Sequence, residues 1–482
     1  MRSHQAPIDS ALWVAAGPAV LAMVTAATAY IEGGGWCIRD KNPKMDLQGH
    51  WPWLTVDSWS EDRPKDWSKL FGKRGAQFTQ IAYEDIPELQ EFRAYCETRT
   101  DLRGTLLQPA NVDLDFLQTM FIDHLSLDVY ERAMHLGAHS LDSILPIYLE
   151  AERSVLQETL TGDIIVPLAF AAFAPNDLIH LDSTTTVRPL SVDEQRARAI
   201  TDFNAPVTAR VINSATHAIV LQDVIVDNLD PWSRVLGRFR GESVVPYEQI
   251  DIAVRAIRIL VPEPFGYTQV LLSPHNWSDR WKLDLPAMQT MATVRKYPPS
   301  LDDKNYRDPV TIIPPEITQN LPEAHAALLR GDGRLNLAAR RLDIARYRLD
   351  TDDTIIDCAV GLEALLGGDR TELAHRIATR AAVLLRSKFQ AEMVYQSVRK
   401  IYDRRSEIVH GSQRSKSARI TFGDATFSTH TIALWILREV VASAVADRLP
   451  IDRQALDAMA LDAIQQTAPS ASVKPPAEEG ND

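Results

Sequence analysis

The fold of the C-terminal half follows from the stretch Ile401-Tyr-Asp-Arg-Arg-Ser-Glu-Ile-Val-His-Gly411. Its apolar residues recur at helical spacing, and Gly411 stands where a helix end favours a left-handed residue. The stretch therefore predicts the last turns of a helix that begins at Ala391. On a wheel of about 100° per residue, Arg405 lies at the centre of the apolar face. Since an unpaired buried guanidinium is costly, Arg405 requires a carboxylate partner, an edge where it reaches water, or a function.

Apolar periodicity and terminal glycines predict further helices on both sides of this stretch. The predicted helices cover Glu323–Leu349, Asp352–Leu366, Glu372–Leu385, Ala391–His410 and, after a polar loop, Thr429–Asp447. Glu363 stands between apolar neighbours in the second of them. One interpretation is a buried ion pair between Arg405 and Glu363 that fixes how two helices pack. Arg380 or Arg376, on the following helix, is the alternative partner of Glu363.

Three segments in this order resemble an ApeA-like HEPN domain, of the HEPN ribonuclease superfamily. The segments are Asp357-Cys-Ala-Val-Gly-Leu-Glu-Ala-Leu-Leu366, Glu372-Leu-Ala-His-Arg-Ile-Ala-Thr-Arg-Ala-Ala-Val-Leu-Leu385 and Ile401–Gly411. The HEPN signature is an arginine, a polar residue and a histidine after four to six intervening residues, which Arg405, Ser406 and His410 match. Val187-Arg-Pro-Leu-Ser191 and Arg255-Ala-Ile-Arg-Ile-Leu260 are similar to the domain that precedes HEPN in such proteins. The resemblance covers roughly residues 162 to 447.

The resemblance implies an antiparallel helical bundle that forms a homodimer and cleaves RNA without a metal ion or cofactor. Arg405, Ser406 and His410 would be its catalytic residues. Histidine can move a proton near neutral pH, and arginine can bind a phosphate as its charge grows. On an ideal helix, His410 points about 140° away from Arg405. A dimeric cleft or a distorted last turn is therefore needed to bring the two together.

Charge supports RNA as a partner only locally. The net charge of the chain is −13, which argues against a broad electrostatic surface for nucleic acid. Between residues 322 and 420, however, 18 Arg and Lys stand against 13 Asp and Glu, a local charge of +5, and the remainder carries −18. We expect Arg404, Arg414, Lys416 and Arg419 to contact RNA. A solvated polar loop is the alternative for the last three residues.

The chain as a whole predicts an α+β protein of several domains. Residues 1–160 are mostly helical with an irregular tryptophan-rich segment, and residues 161–320 contain short apolar runs typical of strands. Residues 321–450 form the HEPN helical domain, and residues 451–482 a short helix with a disordered tail. Among the apolar runs of the middle domain are Asp163–Pro167, Asp177–Leu181, Ala218–Val226, Ala253–Val261 and Tyr267–Leu272.

Metal chemistry and membrane insertion are not favoured. Three scattered cysteines exclude a disulfide framework or a four-cysteine zinc site and favour a cytoplasmic protein. His135 and His139 have metal-binding spacing, and His124 lies upstream, but the glutamate of zinc proteases is absent. We therefore expect no metal. The uncharged run from Ser10 to Ile31 is long enough for a membrane helix, but its alanines and central Gly17-Pro18 favour a buried helix.

Three hypotheses for function remain open. The first is a HEPN-type, metal-independent RNA endonuclease in phage defence or toxin-like growth arrest, with the N-terminal part sensing a trigger that the sequence does not identify. The second is a non-catalytic HEPN module that dimerises and binds RNA or protein. The third uses the N-terminal run as a membrane anchor that presents the helical domain in the cytoplasm.

Overall fold

The structure, a computed structural model, describes residues 6–77, 79–99, 114–200, 209–228, 245–331, 333–368, 372–411, 418–446 and 453–463. Helices and strands are mixed, which confirms the α+β class. The helices are α1 (Ser10–Glu32), α2 (Pro87–Thr98), α3 (Leu114–Asp123), α4 (Val129–Leu136), α5 (Leu141–Leu156), α6 (Val192–Ala199), α7 (Ala209–Asn213), α8 (Tyr247–Leu260), α9 (Pro315–Thr318), α10 (Leu321–Leu329), α11 (Gly333–Tyr347), α12 (Thr351–Leu366), α13 (Leu373–Leu384), α14 (Ala391–Val409), α15 (Thr429–Ala446) and α16 (Arg453–Ala463).

The strands are β1 (Asn42–Gln48), β2 (Trp51–Asp57), β3 (Phe71–Gly72), β4 (Ile81–Ala82), β5 (Thr159–Ala169), β6 (Ile179–His180), β7 (Thr185–Pro189), β8 (Ala215–Asp227), β9 (Gly266–Pro274), β10 (Gln289–Lys296), β11 (Arg419–Phe422) and β12 (Ala425–Ser428). The chain divides into two units, each built from separated segments. Unit 1 comprises residues 1–167, 189–246 and 268–295, and unit 2 comprises residues 168–188, 247–267 and 296–482. The predicted middle domain, 161–320, is therefore shared between two units.

Unit 1 contains a helical core around α1. The buried face of α1 includes Leu12, Ala16, Val20 and Met23, which pack in one apolar cluster with residues of α2, α4 and α5. The side chain of Asp9 caps the helix by accepting from the amide of Leu12. The opposite face of the helix is partly exposed. The exposed side is itself apolar at Val14, so packing and not the sequence pattern distinguishes the two faces.

The tryptophan-rich segment is ordered, which corrects the prediction of an irregular region. β1 and β2 pair antiparallel, with Gln48 opposite Trp51. Trp51 is buried, whereas Trp59, just beyond β2, is 92% exposed. Burial falls off along β2, from buried Trp51 to partly exposed Asp57, and Trp59 follows the strand on the surface. Tryptophans in this segment are therefore divided between core and surface.

Four neighbouring strands of unit 1 follow the order β10-β9-β5-β8. Ile165, Ala218, Val220 and Leu271 form an apolar cluster across three of them. The predicted strands at Asp163–Pro167, Ala218–Val226 and Tyr267–Leu272 are thus confirmed. Helix α6 begins at a capping box formed by Ser191 and Glu194. Of the predicted run Asp177–Leu181, only the middle two residues form a strand, β6, which pairs with β7 in unit 2.

The prediction of a strand at Ala253–Val261 is wrong, because residues 253–260 lie in helix α8 of unit 2. In this helix the buried residues Ile250, Val254 and Ile257 are spaced four and three apart, which is the period of a helix. A short apolar run has the same composition in a buried helix and in a buried strand. The helix can be distinguished from a strand only when the pattern is followed from Tyr247 onwards.

Helices α10 to α15 of unit 2 contribute to one apolar core. The predicted helix Glu323–Leu349 is divided into α10 and α11, because Gly331 adopts a left-handed φ of 77° that ends the first helix. The four predicted helices that follow agree with α12 to α15 within about two residues at each end. The predicted polar loop between the last two contains the hairpin β11–β12, with Arg419 opposite Ser428.

Within the part of the chain that the structure describes, two helices, α1 and α15, are long and apolar enough to cross a membrane by length and composition alone. The packing of α1 predicts a clear difference between two valines. Val20 is fully buried and Val14 is 71% exposed. We expect Val20→Asp to lower the free energy of unfolding by about 3 kcal/mol or more, and Val14→Asp to change it by less than about 0.5 kcal/mol. Urea unfolding of both purified variants measures this. Equal loss of soluble protein in both would instead support a membrane-spanning α1.

Candidate functional site

The candidate site lies at the C-terminal end of α14. Val394, Val398 and Ile401 are buried and anchor this helix in the core of unit 2. Tyr402 is also buried, and its hydroxyl donates to the carbonyl of Ala359 on α12 at 3.4 Å. Burial, reinforced by the nearby carboxylate of Glu363, raises the pKa of Tyr402. The phenol therefore stays neutral and fixes the crossing of the two helices.

Arg405 contacts Glu363 on α12, as one interpretation of the sequence predicts. Its Nη2 lies 3.3 Å from Oε1 of Glu363. The pair is only partly buried, because 35% of the Arg405 side chain and 26% of the Glu363 side chain remain exposed. The long arginine stem lies along the apolar face while the guanidinium reaches its edge. The expectation of a fully buried pair at the centre of that face is therefore corrected.

Ser406 and His410 are exposed at the end of the same helix. The amide of His410 donates to the carbonyl of Ser406 at 3.0 Å, and Gly411 then leaves the helix with a φ of 68°. Because the two residues are four apart in helical backbone, their side chains share one face. Arg405 lies on another side of the helix. Among the described residues, no hydrogen bond or ion pair joins Arg405 to His410.

Arg404 is engaged in ion pairs. Its Nη2 lies 2.6 Å from Oδ1 of Asp352 on α12, and its Nη1 lies 3.4 Å from Oε2 of Glu407. Burial opposes the positive charge, but hydrogen bonds to Asp352 and Glu407 outweigh it and raise the pKa of Arg404. Only 16% of the side chain is exposed. The predicted contact of Arg404 with RNA would have to break these pairs.

Arg380 does not pair with Glu363, contrary to the alternative prediction. It is buried on α13, and its Nε and Nη2 each donate to a carboxylate oxygen of Asp457 at 2.7 Å. Its Nη1 donates to the carbonyl of Leu366 at 2.6 Å, at the end of α12. The bidentate pair thus ties the C-terminal helix α16 to the core. The sequence predicted a short helix in this region but no partner for it.

The Asp457 contact predicts an acid-sensitive contribution to stability. Hydrogen bonds from Arg380 lower the pKa of Asp457. The contribution is therefore complete above the ordinary aspartate pKa and is lost as the pH falls through the lowered pKa of the folded protein. Since the Asp457 side chain is 56% exposed, we expect Asp457→Asn to cost only about 1 kcal/mol at pH 7. Urea unfolding at pH 7, 4 and 3 measures this; a difference from wild type that grows on acidification would contradict it.

The remaining basic residues predicted to bind RNA lie after α14. Arg419 begins β11, and its Nη2 donates to the carbonyl of Thr426 at 3.1 Å across the hairpin. It belongs to a strand and not to a loop, because apolar Ile420 and Phe422 alternate with exposed residues and pack into the core. Arg414 and Lys416 lie outside the described residues.

The histidines of unit 1 have structural partners. His124, in a short π-helical turn, is buried, with Nδ1 2.8 Å from Asp128 and Nε2 3.0 Å from the Ser154 hydroxyl. Nε2 of His135 lies 3.9 Å from Glu131. Both ring nitrogens of His124 are thus engaged, whereas Nε2 of His135 has no hydrogen-bond partner among the described residues. The Ser154 hydroxyl also donates to a backbone carbonyl and is fully buried, which denies a substrate access to this Asp-His-Ser arrangement.

One group of described residues has ligand atoms close enough for a metal ion, and sequence analysis did not find it. Asp163 lies on β5, Asp223 on β8 and His275 directly after β9, far apart in the chain. Nε2 of His275 is 3.0 Å from Asp163 and Nδ1 is 3.4 Å from Asp223. Each ring nitrogen thus already contacts a carboxylate, so the three polar side chains are partners of one another.

Comparison of the chain with protein-family models, with curated proteins and with solved structures finds no match.

Proposed function

We propose that this chain is a HEPN-type, metal-independent RNA endonuclease that works as a homodimer. The observation that carries the proposal is the arrangement at the end of α14, where a partly exposed Arg405 is held by Glu363 beside exposed Ser406 and His410. An exposed imidazole and a hydroxyl are accessible to a bulky polymer substrate. A guanidinium positioned by a carboxylate can bind phosphate in a fixed orientation.

The chemistry follows from these groups. Histidine accepts the proton of an RNA 2′-hydroxyl while water protonates the leaving 5′-oxygen, or histidine donates that second proton while water accepts the first. The 2′-oxygen attacks phosphorus, the bond from phosphorus to the 5′-oxygen breaks, and the products are a 2′,3′-cyclic phosphate and a 5′-hydroxyl. Arg405 stabilises the charge that develops on the phosphate oxygens, and the Ser406 hydroxyl donates a further hydrogen bond.

A second protomer completes the proposed site. Arg405 and His410 lie on different sides of α14, so one chain does not present both to the same phosphate. Val409, between Ser406 and His410, is 62% exposed and supplies apolar surface where two such helix ends would meet. The proposed dimer pairs Arg405 of each protomer with His410 of the other or encloses both pairs in one cleft.

The proposed biological role is cytoplasmic RNA cleavage in phage defence or growth arrest. The mildly basic segment 322–420, with a charge of +5, belongs to unit 2, and the rest of the chain carries −18. An acidic remainder disfavours RNA binding outside the site. Unit 1 is then available to sense the trigger that releases activity.

A non-catalytic HEPN module is the second candidate function. It is favoured by the same two ion pairs, Arg405 with Glu363 and Arg404 with Asp352, because both guanidiniums then serve the packing of α14 on α12. This candidate predicts that Arg405→Ala destabilises the protein and that His410→Ala changes nothing measurable.

The experiment that tests the proposal combines assembly with cleavage. The mass of the purified full-length chain in solution is measured by light scattering, and the same sample is incubated with a 5′-labelled RNA mixture in the presence of EDTA. We expect a dimer that releases fragments ending in a 2′,3′-cyclic phosphate. If a dimer forms but cuts neither RNA extracted from cells nor synthetic RNA, the result would contradict the endonuclease proposal and favour the non-catalytic HEPN module.

A further inference from the structure

Unit 2 contains a cleft that is separate from the end of α14. It has a volume of about 320 Å³, within the lower range of small-ligand sites. One wall consists of Glu248, Ile252 and Arg255, spaced four and three apart on α8. The other wall is the face of α11 that carries Asn336, Leu337 and Arg340, with Leu328 of α10 between the walls. Two helix faces therefore point at one another across an unfilled space.

Polar contacts join the C-terminal halves of α8 and α11. Arg258, one turn beyond Arg255 on α8, forms a buried ion pair with Asp343 of α11. Gly333, at the other end of α11, supplies no side chain to fill the gap towards Glu248. The residues of α8 and α11 that line the cleft lie on the preceding turns of both helices.

Two guanidiniums make the cleft suited to an anion. Arg255 is held loosely, with Nη2 3.4 Å from Asp251 and Nε 3.7 Å from Asp343. That Nε is buried and has no hydrogen-bond partner among the described residues. Asp343 is already neutralised by Arg258, so it competes weakly for Arg255. Arg340 is exposed on the opposite wall. A phosphate between the two arginines would receive charge-assisted hydrogen bonds from both sides.

The other groups narrow the ligand class. Leu328 is buried and Leu337 is 40% exposed, so the wall offers an apolar surface for a flat ring. Asn336 carries both a donor and an acceptor for the edge of such a ring. The Glu248 carboxylate is exposed at the rim, where it accepts hydrogen bonds from ligand hydroxyls, as acidic residues do with ribose in dinucleotide sites.

We propose that this cleft binds a nucleoside monophosphate. The phosphate lies between Arg255 and Arg340, the ribose hydroxyls donate to Glu248, and the base packs against Leu337. The inference does not depend on RNA cleavage, because it rests on a different face of unit 2 and is tested by binding alone.

Isothermal titration of the full-length protein with AMP, GMP, CMP and UMP tests the proposal. We expect saturable binding of at least one of them, weakened at least tenfold by Arg340→Ala and partly restored in Arg340→Lys. Arg340 is exposed, so its replacement leaves the fold intact, which the melting temperature verifies. Arg330→Ala is the matched control, since Arg330 is an exposed arginine outside the cleft. It should bind like wild type.

Two further samples separate this cleft from other anion sites. His410→Ala should bind the nucleotide with wild-type affinity, because His410 belongs to the end of α14. Inorganic phosphate should bind at least tenfold more weakly than the nucleotide, since it lacks the ring and hydroxyls. The proposal is overturned if no nucleotide binds, if Arg340→Ala binds like wild type, or if phosphate alone matches the nucleotide.

Discussion

His410→Ala is expected to lower the rate of RNA cleavage by about 10²- to 10⁴-fold, the usual contribution of a general acid or base. The same substitution should leave the free energy of unfolding within about 0.5 kcal/mol of wild type, because His410 is exposed. Its backbone amide bonds to Ser406 whatever its side chain. A large loss of activity without a loss of stability is therefore the signature of a catalytic histidine.

Arg405→Ala is the companion variant and should differ in one respect. It also abolishes cleavage, but it leaves Glu363 without its guanidinium and should cost about 1 kcal/mol of stability. His139→Ala, which removes an exposed histidine from unit 1, is the matched control and should cleave like wild type. Initial rates on a 5′-labelled RNA and urea unfolding of each variant provide both readouts. If the His410→Ala variant cleaves RNA at the wild-type rate, His410 is not a catalytic acid or base.

The second large effect concerns stability. Asp343→Ala is expected to lower the free energy of unfolding by about 3–5 kcal/mol, because it leaves a buried arginine without its carboxylate. Arg258 is 1% exposed and contacts the Asp343 carboxylate directly. It also donates to the carbonyl of Phe265 at 3.2 Å and lies 4.6 Å from the ring centre of Tyr347. These neutral contacts cannot balance its charge once Asp343 is lost.

Matched variants separate this pair from ordinary surface charges. Asp353→Ala removes a carboxylate that is 53% exposed and 3.5 Å from Arg348, and it should cost less than about 1 kcal/mol. The double variant Arg258→Met with Asp343→Leu should regain most of the stability lost in Asp343→Ala, since apolar residues can replace a buried ion pair. Urea unfolding monitored by tryptophan fluorescence measures all three. A loss below about 1 kcal/mol in Asp343→Ala would contradict the importance of the pair.

Local sequence signals predicted most of the helices of unit 2. Helix α12 starts after Asp350, whose side chain accepts from the amide of Asp352, and α14 ends before Gly411 at a left-handed turn. Such caps depend on residues within a few positions and are therefore visible in the sequence. The break at Gly331 and the helix at Tyr247–Leu260 were missed. At Gly331 the apolar pattern continues although the backbone ends the helix there. At Tyr247–Leu260 a short apolar run within the helix resembles a strand.

Contacts between distant residues were predicted only where one unusual side chain demanded a partner. The apolar setting of Arg405 pointed to Glu363, and the structure places them 3.3 Å apart. Nothing local points from Arg380 to Asp457, which lies 77 residues further along the chain. The division of residues 161–320 between two units was missed for the same reason. Ion pairs such as Arg258 with Asp343 join segments that are far apart in the chain, and tertiary packing determines which residues pair.

Cleavage of a 5′-labelled RNA by the full-length protein in EDTA, wild type beside His410→Ala, tests the central claim most directly. We expect wild type to produce fragments with a 2′,3′-cyclic phosphate and the variant, equally stable and equally dimeric, to produce at least about 100-fold less. Cleavage that is equal in the two proteins, or absent from a correctly folded wild-type dimer, would contradict it.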